Sequence, residues 1–163
     1  MNLSTVNYMI CQEIQLYTTK WSETYIFYCE NLYPPQKNKI YFEQMMVKIQ
    51  GEEYYTYPDV FITNHPAELE NKYIKQFPVL IIEVLGNSTR KYDTIDKFIQ
   101  YQKMETLEYY LLAEPEFTYV NCFSKDDRGA WQSAIYNKPE DAVPLTILAV
   151  NLPLQEIYNL NID

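Results

Sequence analysis

The sequence predicts an α/β (α+β) fold in which a central mixed β-sheet is flanked by helices. Three observations predict it. The apolar run Pro78–Leu85 (PVLIIEVL) has the length of a strand and the continuous hydrophobicity of one covered on both faces. After the loop Gly86-Asn87-Ser88-Thr89, the segment Asp93–Glu105 carries the clearest helical periodicity in the chain. Turn-bounded, β-forming segments lie before and after this pair, so the order is helix, strands, helix, strands.

Each element has its own signal. From about Val6 to Glu30, Met9, Ile10, Glu13, Ile14, Leu16 and Tyr17 recur at three- and four-residue steps, which predicts a first helix. Pro34-Pro35 ends whatever precedes it. Lys39–Ile49 alternates and reads as one strand; Gly51-Glu52-Glu53 is a turn, and Tyr54–Thr63 is a second strand. Ala67–Gln76 is polar and fits neither period. In the helix Asp93–Glu105, Ile95, Phe98, Ile99, Tyr101 and Gln102 form the expected inward stripe. Leu107–Ala113 is a further strand. Thr118–Ser124 and Ala130–Tyr136 flank Asp126-Asp127-Arg128-Gly129, a hairpin signal. The apolar tail Val143–Leu160 predicts a last strand and a short helix, Leu154–Tyr158, on the sheet edge.

Composition narrows the class. With 163 residues the chain fits a single domain. A chain of that size buries roughly 70% of its unfolded surface, enough to fold without disulfides. Cys11, Cys29 and Cys122 are scattered and odd in number, which reads as reduced thiols in a cytoplasmic protein. Met1–Ile10 lacks the pattern of a signal peptide, and no stretch reaches the ~20 apolar residues of a membrane span. The net charge of -9 opposes tight, general nucleic-acid binding, although bound metal partly neutralises a carboxylate-rich site. Three glycines leave no phosphate-cradling motif. The single histidine, His65, sits in an Asn-His-Pro loop and has no nucleophile elbow to serve. The seventeen tyrosines read first as strand and interface residues, and only second as a surface for base stacking.

Against this background a few charged residues stand out. Glu83 lies inside the apolar strand. A charge buried there must be paired, protonated or bound to metal. It is either a strand-end side chain reaching solvent or a structural cation, or a metal ligand or general base. Asp59 follows Tyr57-Pro58 at the head of a strand; alone it reads as turn chemistry. If its strand neighbours that of Glu83, the two carboxylates converge into a hard oxygen site suited to Mg²⁺ or Mn²⁺. Asp93, Lys97 and Tyr101 are spaced i, i+4, i+8 and share a helix face. Lys97 is then either half of a surface ion pair or a cation facing Glu83, placed to stabilise charge developing on phosphate.

These motifs, in this order and spacing, resemble the Uma2 family (DUF820) of the PD-(D/E)XK restriction-endonuclease-like superfamily. The resemblance rests on Tyr57-Pro58-Asp59-Val60, the run 78–85 with Glu83, Ser88-Thr89, Asp93-x-x-x-Lys97-x-x-x-Tyr101, Leu107–Leu112, Trp131, and the tail 152–158. It implies a restriction-endonuclease-like sheet and an endonuclease hydrolysing DNA with Mg²⁺ or Mn²⁺. Asp59 and Glu83 would be the metal-binding acids. The lysine usually found two residues after the second acid is Leu85 here, and Lys97 on the following helix is the matching position. Tyr101 and Asp93 would support the site from behind, and Glu13 is a loose counterpart of an acid that relatives supply from the first helix. The segment of about 1–38 is short and divergent for the family. A homodimer is expected, as is common for small nucleases of this superfamily. The rival expectation is a non-catalytic dimeric module, binding metal or a partner, that kept the fold.

Overall fold

The computed structural model describes residues 38–42, 45–69, 71–86 and 92–158. The first predicted helix with Glu13, the loop 87–90, Trp21, Cys11 and Cys29 lie outside those residues. In chain order the strands are β1 (Lys39–Phe42), β2 (Met46–Lys48), β3 (Tyr55–Thr56), β4 (Val60–Thr63), β5 (Ile74–Lys75), β6 (Leu80–Val84), β7 (Tyr109–Ala113), β8 (Val120–Lys125), β9 (Trp131–Tyr136), β10 (Ala142–Leu145) and β11 (Val150–Pro153). A π-helical turn, Tyr92–Lys97, runs into the α-helix Phe98–Tyr101, together called α1; a second short helix, α2, spans Leu154–Ile157.

The apolar run behaves as its composition demands. β6 sits inside a six-stranded sheet of order β1-β4-β6-β7-β8-β9. It pairs antiparallel with β4 and parallel with β7, so the sheet is mixed as expected. The parallel pair requires a crossover, and α1 supplies it between β6 and β7. Side chains alternate across the sheet and bury both faces. On one face Val60, Ile62, Leu80, Ile82 and Leu111 meet the tail. On the other, Phe61, Ile81, Tyr110 and Leu112 meet Tyr101, Met104 and the small sheet β3-β2-β5 through Val47 and Ile49.

Three expectations change. Lys39–Ile49 is not one strand: β1 joins the large sheet and β2 the small one. Tyr54–Thr63 also divides, into β3 and β4. Pro58 lies at the break, where a residue without an N–H cannot continue a ladder. The tail covers a face of the sheet rather than its edge. β10 and β11 pair with each other, and Val143, Leu145, Val150, Leu152, Leu154 and Ile157 are all buried against the sheet.

The polar stretch 67–76 has a role that hydrophobic periodicity does not reveal. Glu68 is buried, and its carboxylate accepts the N–H groups of Gln76 (2.6 Å) and Phe77. The buried Lys75 ammonium donates to the carbonyls of Glu68 and Asn71 and lies 4.9 Å from the centre of the Tyr41 ring. Local hydrogen bonding, not apolar periodicity, folds this excursion. The β8–β9 hairpin forms as predicted. Asp126 accepts the N–H groups of Arg128 (2.8 Å) and Ala130 (2.9 Å), bonds that lower its carboxyl pKa, and Gly129 takes the left-handed φ of 76°.

Candidate active site

Glu83 is the fourth residue of β6 and is 1% exposed. Alternation puts Ile81 and Glu83 on the same face, the one covered by α1. The carboxylate is therefore enclosed by the helix and takes its partners from it. Lys97 Nζ stands 2.9 Å from Glu83 Oε1, and the Tyr101 hydroxyl donates to the same oxygen at 2.9 Å. A charge in that position is expensive unless it is both paired and hydrogen-bonded, and here it is both.

The register supplies the second acid. β4 and β6 pair Phe61 with Ile81 and Val60 with Ile82. Continued by one residue, that register sets Asp59 opposite Glu83. The Asp59 Oδ2 accepts the Val84 N–H at 2.7 Å. The side chain thus serves as a ladder acceptor where β4 has given out at Pro58. This bond joins Asp59 to the neighbouring strand and not to a local turn.

α1 brings Lys97 and Tyr101 to Glu83 by α-helical spacing, since Phe98–Tyr101 is regular helix. The same rule does not extend back to Asp93. Tyr92–Lys97 is a π-helical turn with a wider repeat, so i, i+4 no longer marks one face there. The Asp93 side chain lies outside the described residues. The expected inward stripe is corrected as well. Tyr101 is buried and Phe98 packs on Tyr110, Phe123 and Trp131, but Ile95, Ile99 and Gln102 are exposed. The face turned to the sheet is the one carrying Lys97, Phe98 and Tyr101, because two of those three hold Glu83.

Thr56 carries no signal in the sequence. Its hydroxyl lies 3.1 Å from the Tyr101 hydroxyl and is buried. Nothing in one sequence pairs residues 45 positions apart; only the packing of β3 against α1 does. Burial first, and then the charge of Glu83, hold the Tyr101 phenol well above its ordinary pKa, so it is a neutral hydrogen-bond donor. Leu85, where the superfamily pattern expects lysine, is buried in the apolar core on this face. The cation beside Glu83 is Lys97, from the helix.

The donor set is chemically coherent for a divalent ion. Among the described residues no three His, Cys, Asp or Glu side chains form a closed metal cage. Mg²⁺ does not need one: it takes one or two carboxylates and keeps several waters. Asp59, one residue ahead of β4, and Glu83, on β6, offer oxygen donors only and fit that requirement.

The profile of the Uma2 family, described as putative restriction endonuclease, matches residues 19–155. The chain belongs to the Uma2 family. The motifs from Tyr57-Pro58-Asp59 to Pro153 lie within the matched residues. An uncharacterized protein from Synechocystis sp. is 29% identical over 114 residues, covering 70% of this chain. The match spans 60% of that relative's own length. A crystal structure from Anabaena variabilis, described as a putative nuclease belonging to DUF820, superposes with a TM-score of 0.65 at 13% identity, covering 96% of this chain and 79% of that one. That likeness shows the fold. The mixed-sheet fold is thus common to this Uma2 chain and a structure of very different sequence. No helix among the described residues is long and apolar enough to cross a membrane.

Proposed function

We propose that this Uma2 chain is a Mg²⁺- or Mn²⁺-dependent endonuclease that hydrolyses DNA phosphodiester bonds at Asp59, Glu83 and Lys97. One observation carries the reading. A 1%-exposed carboxylate on a central strand lies 2.9 Å from a lysine, and a second acid accepts the next N–H of the same strand, which supports this reading. Asp59 and Glu83 would hold the ion. When bound, it polarises the scissile phosphate and lowers the pKa of a water. Lys97 places a positive charge beside the acids, where negative charge develops during phosphoryl transfer. Tyr101 fixes the direction of Glu83. The protein acts as a cytoplasmic homodimer, which offers one site to each strand of a duplex.

The test is direct. Purified protein with Mn²⁺ converts supercoiled plasmid to nicked or linear DNA, and EDTA or Asp59→Ala abolishes the conversion. Cleavage undiminished by EDTA or by Asp59→Ala sinks the assignment. Sedimentation of the same protein checks the dimer.

A second reading is a non-catalytic dimeric module that binds metal or a partner. It is favoured by the Asp59–Val84 hydrogen bond, which gives that acid a structural role, and by the net charge of -9. Absence of cleavage together with retained Mn²⁺ binding supports it.

A further inference from the structure

We propose that Thr56 is a positioning residue for Glu83 and acts through the Tyr101 hydroxyl; this rests on the reading above that Asp59 and Glu83 hold a divalent ion. By this route the small sheet β3-β2-β5, which carries none of the acids, sets the direction of the carboxylate.

The supply of hydrogens sets the direction of the bonds. An ionised Glu83 has only acceptors. The Tyr101 hydroxyl has one hydrogen and gives it to Glu83 Oε1 at 2.9 Å. Its oxygen can then only accept from Thr56, 3.1 Å away, so Thr56 is the donor. The chain runs one way, from Thr56 to Tyr101 to Glu83, and each bond polarises the next.

Lys97 Nζ and the Tyr101 hydroxyl converge on the same oxygen. Two donors on Oε1 fix the rotation of the carboxyl group, and hence where Oε2 is directed relative to Asp59. The two donors differ in kind. Lys97 is a charge on a flexible four-carbon stem and can follow the carboxylate as it turns. Tyr101 is fully buried, with its ring edge-on to Tyr110 at 5.2 Å, and cannot follow. Tyr101 is therefore the fixed reference, and what remains free in it is the hydroxyl torsion. A phenol hydroxyl has two favoured orientations in the ring plane, and a donor on one side selects the other. Thr56 is that donor. It is buried and locked to β2 by its pairing with Val47.

The test is Mn²⁺ titration calorimetry on the full chain and its Thr56→Val, Thr56→Ser and Tyr101→Phe variants. Partners behind a metal ligand are commonly worth 10–100-fold in affinity. Thr56→Val is expected to weaken Mn²⁺ binding about 10-fold, while Thr56→Ser, which keeps the donor, stays within about twofold. In a Tyr101→Phe background Thr56→Val should add nothing, because the path is already cut. Wild-type affinity in Thr56→Val, or a full additional loss in the Tyr101→Phe background, overturns the proposal. A second readout needs no metal. In protein carrying ¹³C-labelled glutamate, the Glu83 carboxyl signal, assigned by its loss in Glu83→Gln, should move in Thr56→Val and stay in Thr56→Ser. If it does not move in Thr56→Val, the proposal fails. If the wild-type protein takes no Mn²⁺, the nuclease reading falls, and the metal-free spectra still decide Thr56.

Discussion

The ion pair between Lys97 and Glu83 should be asymmetric in what each partner costs to lose. The side chain of Glu83 is 2% exposed and that of Lys97 11%, at a separation of 2.9 Å. Lys97→Met keeps most of the stem volume and removes the ammonium. The carboxylate left behind cannot reach water and retains the Tyr101 hydroxyl. Breaking a buried pair in this way costs about 3–5 kcal/mol. Glu83→Gln is the opposite cut. It keeps the shape and an acceptor for Tyr101, and the Lys97 ammonium, on a side chain that is 11% exposed, can turn toward solvent. That loss is of the order of a charged hydrogen bond, discounted for that exposure, about 1–2 kcal/mol. Lys97→Met should therefore lower the melting temperature by ~6–20 °C and Glu83→Gln by much less, at ~2–4 °C per kcal/mol for a chain of this size. The double variant removes both charges of the pair and should be more stable than Lys97→Met alone, giving a coupling energy of the sign expected for a contact pair. Urea unfolding at neutral pH, compared by midpoint at constant slope, measures all three. If Glu83→Gln costs as much as Lys97→Met, or the double variant is the least stable, the pair is solvated and the burial argument behind the candidate site is wrong.

Two further predictions concern parts of the fold away from the acids. Ala149 closes the 3-10 turn Thr146–Leu148 at φ 55°, a left-handed conformation that costs a non-glycine residue roughly 1–2 kcal/mol. Glycine relieves it and returns part as chain entropy, so Ala149→Gly should raise stability by about 0.5–1 kcal/mol in urea unfolding; a loss instead would contradict the strain. Burial pushes the Cys122 thiol from 9.0 up to about 12. The folded state thus keeps a proton that the unfolded state releases above pH 9, and the reactive thiolate is nearly absent at pH 8. Iodoacetamide at about pH 8 should leave Cys122 unmodified in native protein and label it in urea, read by peptide mass mapping; native labelling at the unfolded rate would refute the burial.

How far the sequence alone reaches depends on how local the deciding interaction is. β6 was legible because eight consecutive residues say one thing: a buried strand with a single misfit. The β8–β9 hairpin was legible because Asp126 and Gly129 make its turn within four residues. β1 and β2 read as one strand because the alternation of Lys39–Ile49 is the same whether one sheet or two receive it. The stripe on α1 was half wrong for a related reason. Apolar counting favoured Ile95 and Ile99, but the inward face is decided by Glu83, which takes Lys97 and Tyr101 as partners from across the β6–α1 connection. Asp59, Glu83, Lys97 and Tyr101 were all nameable as candidates because each violates its surroundings or repeats at helical spacing. Thr56 violates nothing and repeats nothing, so only the folded chain brings it into view.

The two readings of the acids can be separated without any DNA. Asp59 caps β6 through Val84 and Glu83 is neutralised by Lys97, so both acids have partners before any ion arrives. If that is all they do, divalent ions have no preference for the folded state beyond weak attraction to an acidic surface. If they are ligands, Mn²⁺ binds the native chain and not the unfolded one, and stability rises as RT ln(1 + [Mn²⁺]/Kd). At a hundred times Kd that is about 2.7 kcal/mol, or ~5–11 °C in melting temperature. Asp59→Asn keeps an oxygen for the Val84 N–H and so keeps the cap, while giving up the anionic ligand. The wild-type chain should therefore melt higher with Mn²⁺ and Asp59→Asn should not, though the two melt within a few degrees of each other in EDTA. An equal shift in both proteins would assign the effect to the surface of a chain with net charge -9, and leave Asp59 only its structural role.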